Sequence, residues 1–374
     1  MARLLLLSAY DIDSHRRWRK GLTRHLDSYD WTVLTLPPRY FRWRIRGNPI
    51  SWLLEQDQLL RQPFDLIIAT SMVDICTLRG LYPHLAQCAL IVYFHENQLA
   101  YPQCEAQHPS IDPAMVNIYS AMAADTVVFN SAHNRRSFLA GLDGLIRKLP
   151  DHIDRRLQEL IQRKSKIISV PLEDELFTEA GLSSSTGGRG TALNKQKPAE
   201  LLLLWNHRVE YDKGVDQFLA LLIGLKKAGV PFRLILLGQR FRTLPKAWQQ
   251  LNKQFAEHIL INQYAENRHS YMDWLSRADI VVSTACHEFQ GLAVMEACVK
   301  GCIPLVPDRL SYPEFFADTY LYEDLDQAIQ WLIERWQAKY AGCSGDLAAP
   351  DLSHLSWYSQ TPCYRELIDG LLAE

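Results

Sequence analysis

Two carboxylates and two cations in the second half of the chain have the types and spacing to handle a ligand that is both hydroxylated and phosphorylated. Glu288 lies in the polar stretch Ser283 to Gln290, and Glu296 follows eight positions later among Leu292, Val294, Met295 and Val299, which fall at helical spacing. A carboxylate is a poor phosphate partner but a good acceptor from hydroxyls, so Glu288 suits a sugar and Glu296 a ribose. Gly291 stands where that helix should begin, and the free amides and positive dipole end of a helix start favour phosphate. Upstream, Asn206, His207 and Arg208 are followed by Lys213 and Gly214, with a helix expected from Val215 to Leu225. A lysine at a helix start opposes the dipole unless an anion is bound. Taken singly, most glutamates at such positions are solvated loop or helix-surface acids, and the plain reading of the two cations is a surface Arg and a Lys at a helix start.

The elements that must position them follow from apolar runs. Ile280, Val281 and Val282 are short and β-branched enough for a buried parallel strand, and Ile303-Pro304-Leu305-Val306 resumes as a strand after Gly301. That makes a βαβ unit with Glu288 and Gly291 at its mouth, just outside the carboxyl ends of the strands, where parallel sheets bind ligands. Leu201 to Trp205 delivers Asn206. Phe232 to Leu237 ends in Gly238, Ile259 to Asn262 follows, and Tyr271 to Arg277 reads as a short helix leading back to Ile280.

The first half repeats the strand-and-loop rhythm. Arg3 to Ser8 reads as a central strand, followed by the loop Ala9 to His15 and a helix from about Arg16 to Leu26, with Ser14 as either its cap or, with His15, a ligand contact. Trp31 to Leu36 alternates like a strand and stops at Pro37-Pro38. In Arg39-Tyr40-Phe41-Arg42-Trp43-Arg44-Ile45-Arg46-Gly47, arginines interleave with large apolar side chains. Guanidinium groups pair with phosphates and aromatic rings stack exposed bases, so the segment suits single-stranded or loop RNA; it suits an edge strand with one buried face as well. Arg16, Arg17, Arg19 and Lys20 favour the RNA reading. Asp65 to Met72 and Ala89 to Phe94 are further strands. The second ends in His95-Glu96-Asn97-Gln98, hydrogen-bonding side chains where a strand should meet a ligand. Ala124 to Phe129 precedes Asn130-Ser131 and a capped helix through Phe138. Asp151 to Lys166 reads as a charged amphipathic helix, and Lys166 to Pro171 as a closing strand.

Length and composition set the frame. The 374 residues suffice for two domains with separate cores, and 48% hydrophobic with 22% charged residues is the balance of a water-soluble globular protein. We expect an N-terminal domain over 1–180, a Gly-, Ser- and Lys-rich flexible linker over 181–199, a second domain over 200–350 and a C-terminal crossover helix over 351–374. No apolar run approaches the ~18 residues of a membrane span, and the opening leucines read as a strand rather than a signal peptide. Eight cysteines without paired spacing suggest reduced thiols and a cytoplasmic protein, and no spacing completes a metal site. Net charge is −2, which excludes a general pull towards polyanions, yet residues 1–50 hold ten Arg and Lys against four Asp, a local footprint that suits nucleic acid.

The run Glu288-Phe289-Gln290-Gly291-Leu292 through Glu296-Ala297, then Gly301-Cys302-Ile303-Pro304, resembles the donor-site signature of retaining glycosyltransferases of the GT-B fold. Tyr93-Phe94-His95-Glu96-Asn97-Gln98-Leu99 with Tyr101-Pro102, the Ser14-His15 pair, Leu36 to Arg44 and Phe129-Asn130-Ser131 together resemble the tRNA-queuosine mannosyltransferase family, a GT-B branch. The resemblance runs from residue 5 to about 315 with a gap near the linker. It implies an α/β protein of two Rossmann-like domains with parallel sheets facing across a cleft and a last helix returning to the first domain. The implied activity is transfer of mannose from GDP-mannose to the cyclopentene diol of queuosine at the wobble position of tRNA-Asp, with no further cofactor. Arg208 and Lys213 match the pair that neutralises the donor diphosphate in such enzymes. Most relatives carry glycines in the first loop; this loop has none.

On this resemblance, His95, Arg208, Lys213 and Glu288 are expected to be catalytic. Asn206, Gly238, Asn262, Phe289, Gln290, Gly291, Leu292 and Glu296 would bind the donor. Ser14, His15, Arg16, Arg39, Arg42, Trp43, Arg44, Glu96, Asn97, Gln98 and Ser131 would bind the acceptor tRNA. Transfer would be metal-free and front-face, with a leaving phosphate oxygen as base. Two other function classes fit the same donor residues: a transferase acting on a lipid, glycan or small metabolite, and a nucleotide-sugar binding module without turnover. A lipid acceptor would call for an amphipathic surface helix, and an intact donor set argues against a mere binding module.

Overall fold

The structure is a computed structural model that describes residues 1–101, 110–148, 154, 156–178, 200–239, 244–341 and 347–373. The chain divides into two compact units, one of Met1–Pro171 with Trp357–Glu374, the other of Leu172–Ser356. The division falls at residue 171 rather than 180, and the segment that rejoins the first unit starts at Trp357 rather than 351. The expected linker, 181–199, lies outside the described residues.

The first unit holds a six-stranded parallel sheet in the order β2-β1-β3-β4-β5-β6. Its strands are β1 Arg3–Ser8, β2 Asp30–Thr35, β3 Leu66–Thr70, β4 Ala89–Phe94, β5 Thr126–Phe129 and β6 Ser165–Ile167. Leu4 to Leu7 are all fully buried. An uninterrupted apolar run, rather than an alternating one, is what a strand covered by helices on both faces requires. The last helix, Trp357–Leu372, packs on the helix Asp13–His25: Trp18 Nε1 donates to Tyr364 Oη at 3.0 Å, and the His25 and Trp357 rings stack at 5.0 Å. A Cβ on Gly21 would strike the Trp357 indole.

Two expectations in this unit fail. Ser14 does not cap its helix, which starts at Asp13 with Ile12 at the cap position. The segment Arg39 to Gly47 is no edge strand; it opens the long helix Phe41–Leu60, entered through Tyr40 in the left-handed region (φ 55°). Arginine–aromatic alternation carried no reliable period because both kinds of side chain tolerate either face. Pro49 lies inside this helix and cannot donate to the turn before it. Asn48 Nδ2 fills that gap, donating to the Arg44 carbonyl at 2.7 Å and the Ile45 carbonyl at 3.3 Å. Of the expected helix Asp151 to Lys166, Arg156–Arg163 is helical, and the end is corrected: Ser165 and Lys166 already belong to strand β6.

The second unit holds another six-stranded parallel sheet in the order β12-β11-β10-β7-β8-β9. The strands are β7 Leu201–Trp205, β8 Phe232–Leu236, β9 Ile259–Asn262, β10 Ile280–Val282, β11 Ile303–Pro307 and β12 Leu321–Tyr322. The order reverses between β7 and β10, which pair directly, Ile280 beside Leu203 and Val281 beside Leu204. A doubly wound sheet opens a crevice at that reversal, because the connections on either side leave towards opposite faces. Asn206 to Lys213 follow β7 and Ser283 to Gln290 follow β10, so two loops remote in sequence end side by side. No helix among the described residues is long and apolar enough to cross a membrane.

Candidate active site

In the second unit the loops after β7 and β10 are stitched together by backbone. The amides of Cys286 and His287 donate to the Asp212 carbonyl at 2.8 and 3.1 Å, and Thr284 Oγ1 donates to the Gly214 carbonyl at 2.8 Å. Gly214 has φ +66°, and a Cβ there would collide with the Thr284 carbonyl, so only glycine fits. Gly238, expected to touch a ligand, lies two residues past β8 against the His207 carbonyl, which a Cβ would strike.

This seam places Lys213 against Glu288. The Lys213 ammonium donates to the His287 carbonyl at 3.0 Å and to Glu288 Oε2 at 3.2 Å, with Asp212 Oδ2 also at 3.2 Å. Glu288 Oε1 accepts from the amides of Phe289 at 3.1 Å and Gln290 at 3.5 Å. Burial pushes Glu288 up, but Lys213 and then His207 outweigh it and bring the carboxyl down to about 2. Burial likewise pulls Lys213 down, while Glu288 and Asp212 more than restore it. The pair is therefore ionised at neutral pH. His207 beside it is held neutral, down to about 4, by burial and by the Lys213 charge. Arg208 is about one-third exposed and pairs with Glu210 at 3.2 Å. Burial pushes Glu210 up against the pull of Arg208.

Helix Leu292–Val299 begins at Gly291, φ +88°, as the spacing predicts. Gln290 and Phe289 are buried at its entrance. Glu296, on its inner face, is held by Arg268: NH2 lies 2.9 Å from Oε1 and NH1 3.1 Å from Oε2. Asn206 Nδ2 donates to Tyr271 Oη at 3.0 Å and to the Ala293 carbonyl at 2.7 Å. Asn262 stands apart from this cluster, at the end of the edge strand β9, where its Nδ2 donates to Asn252. Asp212, Arg268 and Tyr271 went unmarked in the sequence. Arg268 is 28 positions from Glu296, and only the sheet order brings them together.

In the first unit, β4 delivers His95 into a group of rings. His95 stacks on His15 with centroids 4.1 Å apart, meets Trp18 edge-on at 4.7 Å and lies 4.7 Å from Tyr93. His15 Nε2 is 3.3 Å from Glu96 Oε2. Burial, then the neighbouring His15, holds His95 well below the ordinary histidine value, so it is neutral at pH 7. Its Nε2 is buried and has no hydrogen-bond partner among the described residues. The four polar residues after β4 then separate in role. Asn97 is fully buried and donates to Asn134 Oδ1 at 2.8 Å and Ser137 Oγ at 3.0 Å. The Gln98 amide donates to Asn117 Oδ1 at 2.7 Å.

Burial and pairing define the surroundings of several residues expected on the acceptor side. Ser131 is fully buried and caps its helix, accepting from the Asn134 amide at 2.9 Å. Arg44 is buried and donates to Ser51 Oγ at 3.2 Å. Within the first fifty residues Arg19 forks onto Asp11 at 2.9 and 2.8 Å and Arg16 and Arg17 share Asp13, while Arg46 meets Asp74, an acid from outside that stretch, at 2.7 Å. Arg39, Arg42, Tyr40 and Trp43 remain exposed.

Comparison with known proteins gives these geometries a context. The family described as tRNA-queuosine alpha-mannosyltransferase N-terminal matches residues 3–172, and the family described as Glycosyl transferases group 1 matches residues 192–339. A Drosophila melanogaster protein named tRNA-queuosine alpha-mannosyltransferase is 30% identical over 321 residues, 85% of this chain and 83% of that one. Among solved structures, Anabaena Alr3699/HepE in complex with UDP is similar with a TM-score of 0.67 at 13% identity, covering 99% of this chain and all of that one. A UDP-forming trehalose-phosphate synthase from Burkholderia xenovorans is similar with a TM-score of 0.65 at 14% identity, covering 100% of this chain and 99% of that one. At such identities these structures speak for the fold alone, the GT-B arrangement of two doubly wound parallel sheets.

Proposed function

The chain belongs to the tRNA-queuosine alpha-mannosyltransferase family, and from that premise we propose that it transfers mannose from GDP-mannose to the cyclopentene diol of queuosine at the wobble position of tRNA-Asp, with retention of configuration. It is a glycosyltransferase of the GT-B fold. The observation that carries the reading is the convergence of Arg208, Lys213 and Glu288 at the strand-order reversal of the second unit.

Lys213 is already charged and held in place, so an arriving diphosphate meets a cation that has only to exchange its Glu288 partner. Preorganised charge of this kind is commonly the largest catalytic contribution where negative charge grows on a leaving group. As the diphosphate takes Lys213 and Arg208, the Glu288 carboxylate is released to accept from hydroxyls of the sugar. The Gly291 turn presents the amides that follow it to the phosphates. A phosphate oxygen of the leaving group takes the proton of the attacking hydroxyl, so the step needs no protein nucleophile. In the first unit the neutral His95, with His15 and Glu96, supplies hydrogen-bonding groups suited to a diol, and the exposed Arg39, Arg42, Tyr40 and Trp43 supply charge and ring faces suited to an RNA loop. The free thiols of the described cysteines fit an enzyme that works beside its tRNA in the cytoplasm.

The test is incubation with queuosine-containing tRNA and a panel of GDP- and UDP-sugars, read by nucleoside mass spectrometry. A hexose on queuosine from GDP-mannose is expected. Hexose from a UDP-sugar instead would replace the donor, and no hexose from any donor would overturn the acceptor.

A further inference from the structure

Beside the Lys213 cluster, the second unit carries a separate charged group built around Arg268. This guanidinium forks onto both oxygens of Glu296 at 2.9 and 3.1 Å, and its NH2 also lies 2.6 Å from Glu173 Oε2. Glu296 is buried, at 4% exposure. A carboxylate so enclosed favours its protonated form unless a cation holds it, and a protonated carboxyl loses part of its capacity to accept hydrogen bonds. The helix Arg268–Arg277 that supplies this cation also supplies Tyr271, whose ring lies 5.1 Å beneath the guanidinium and whose hydroxyl takes Asn206 at 3.0 Å. One short helix thus fixes two of the side chains assigned to the donor, Glu296 and Asn206. The Asn206 Oδ1 atom is buried and has no hydrogen-bond partner among the described residues.

We propose that Arg268, braced by Glu173, is the positioning residue for the ribose of the nucleotide donor: its fork fixes the rotamer and the plane of the Glu296 carboxylate, so that this carboxylate accepts from the vicinal ribose hydroxyls. A carboxylate offers about four acceptor positions, more than a forked guanidinium uses, so the clamp by itself does not exhaust the carboxylate. Lysine cannot reproduce it, because an ammonium is a point charge that fixes neither the plane of the carboxylate nor both oxygens together. The proposal rests on the donor reading of Glu296 and goes beyond it by naming what sets that residue's geometry.

The test compares binding of GDP, UDP and their 2′,3′-dideoxy forms to the full chain and to two variants, Arg268→Lys and Arg268→Ala. The wild type is expected to favour the ribose form on the order of tenfold, the scale of a hydrogen bond to a charged acceptor. Arg268→Lys keeps the charge and the fold, checked by its thermal unfolding, and should shrink the preference to about twofold while leaving dideoxynucleotide affinity unchanged. Arg268→Ala strands two acids and, where it folds, should abolish the preference. A purely structural role would weaken both nucleotide forms alike, and an unchanged ribose-to-dideoxy ratio in Arg268→Lys overturns the proposal. No ribose preference in the wild type would overturn the donor reading of Glu296 itself.

Discussion

In the second unit the polar groups at the carboxyl end of the sheet are full charges that neutralise one another, Lys213 between Asp212 and Glu288 and Arg268 between Glu173 and Glu296; in the first, the corresponding place is taken by rings packed face to face, the neutral His95 on His15 with Trp18 at the edge. Both arrangements bury polar atoms, but by different means. A buried ion must keep its counterion or lose stability. A buried neutral imidazole costs little until it is asked to take a proton. The charged site is suited to exchange one anion for another, and the ring site to meet an uncharged hydroxyl.

The strongest way to break that contrast is to remove one member of each group. Lys213→Ala should cut transfer by about a thousandfold and lower unfolding free energy by about 3–5 kcal/mol, because Glu288 and Asp212 are left buried without their cation. His95→Ala should cut transfer by about a hundredfold with a much smaller loss of stability. Parallel kinetics and denaturant melts would decide, and equal stability losses in the two variants would erase the distinction.

Acid gives a second, smaller handle. His207 is lowered to about 4, so between its unfolded value near 6.5 and pH 4 the unfolded chain binds the proton that the folded chain refuses. Stability should therefore fall as pH drops through that window, by about 3 kcal/mol from this residue at its lower end. His95 acts in the same direction in the first unit. Glu288, lowered to about 2, stays ionised throughout the window; its contribution is present above about pH 4.3 and is lost as pH falls towards 2. Equilibrium unfolding of the wild type and His207→Asn at pH 7, 5.5 and 4 would separate these, with a flatter profile expected in the variant. Identical profiles would show that His207 is not held neutral by burial.

The mildest effect concerns the first unit's surface. Arg39→Glu with Arg42→Glu should weaken binding of a queuosine anticodon stem-loop about tenfold and reduce the slope of log affinity against log salt by about two. Arg44→Glu should instead destabilise the fold, since that side chain is buried. Unchanged RNA affinity in the double variant would remove this surface from the acceptor side.

The strands were largely legible because buried parallel strands are continuous apolar runs: Ile259–Asn262 and Ile280–Val282 fall where the sequence puts them. The Glu288–Lys213 approach was legible only as two separate loops, since their meeting depends on β7 lying beside β10. Charge counting over residues 1–50 leaves out acids that lie beyond that stretch; Arg46 and Asp74 are one such pair. Arg268 was invisible for the same reason, its partners being remote in sequence.

The helix Trp357–Leu372 lies on the first unit although the whole second unit precedes it in the chain. A ribosome therefore releases the second unit before it releases the piece that covers Trp18 and Tyr93, so the earlier sheet waits with an aromatic face exposed while the later one can already close. Stalling or cleavage just before Trp357 would leave a folded second unit attached to a partner with an uncovered, aggregation-prone flank.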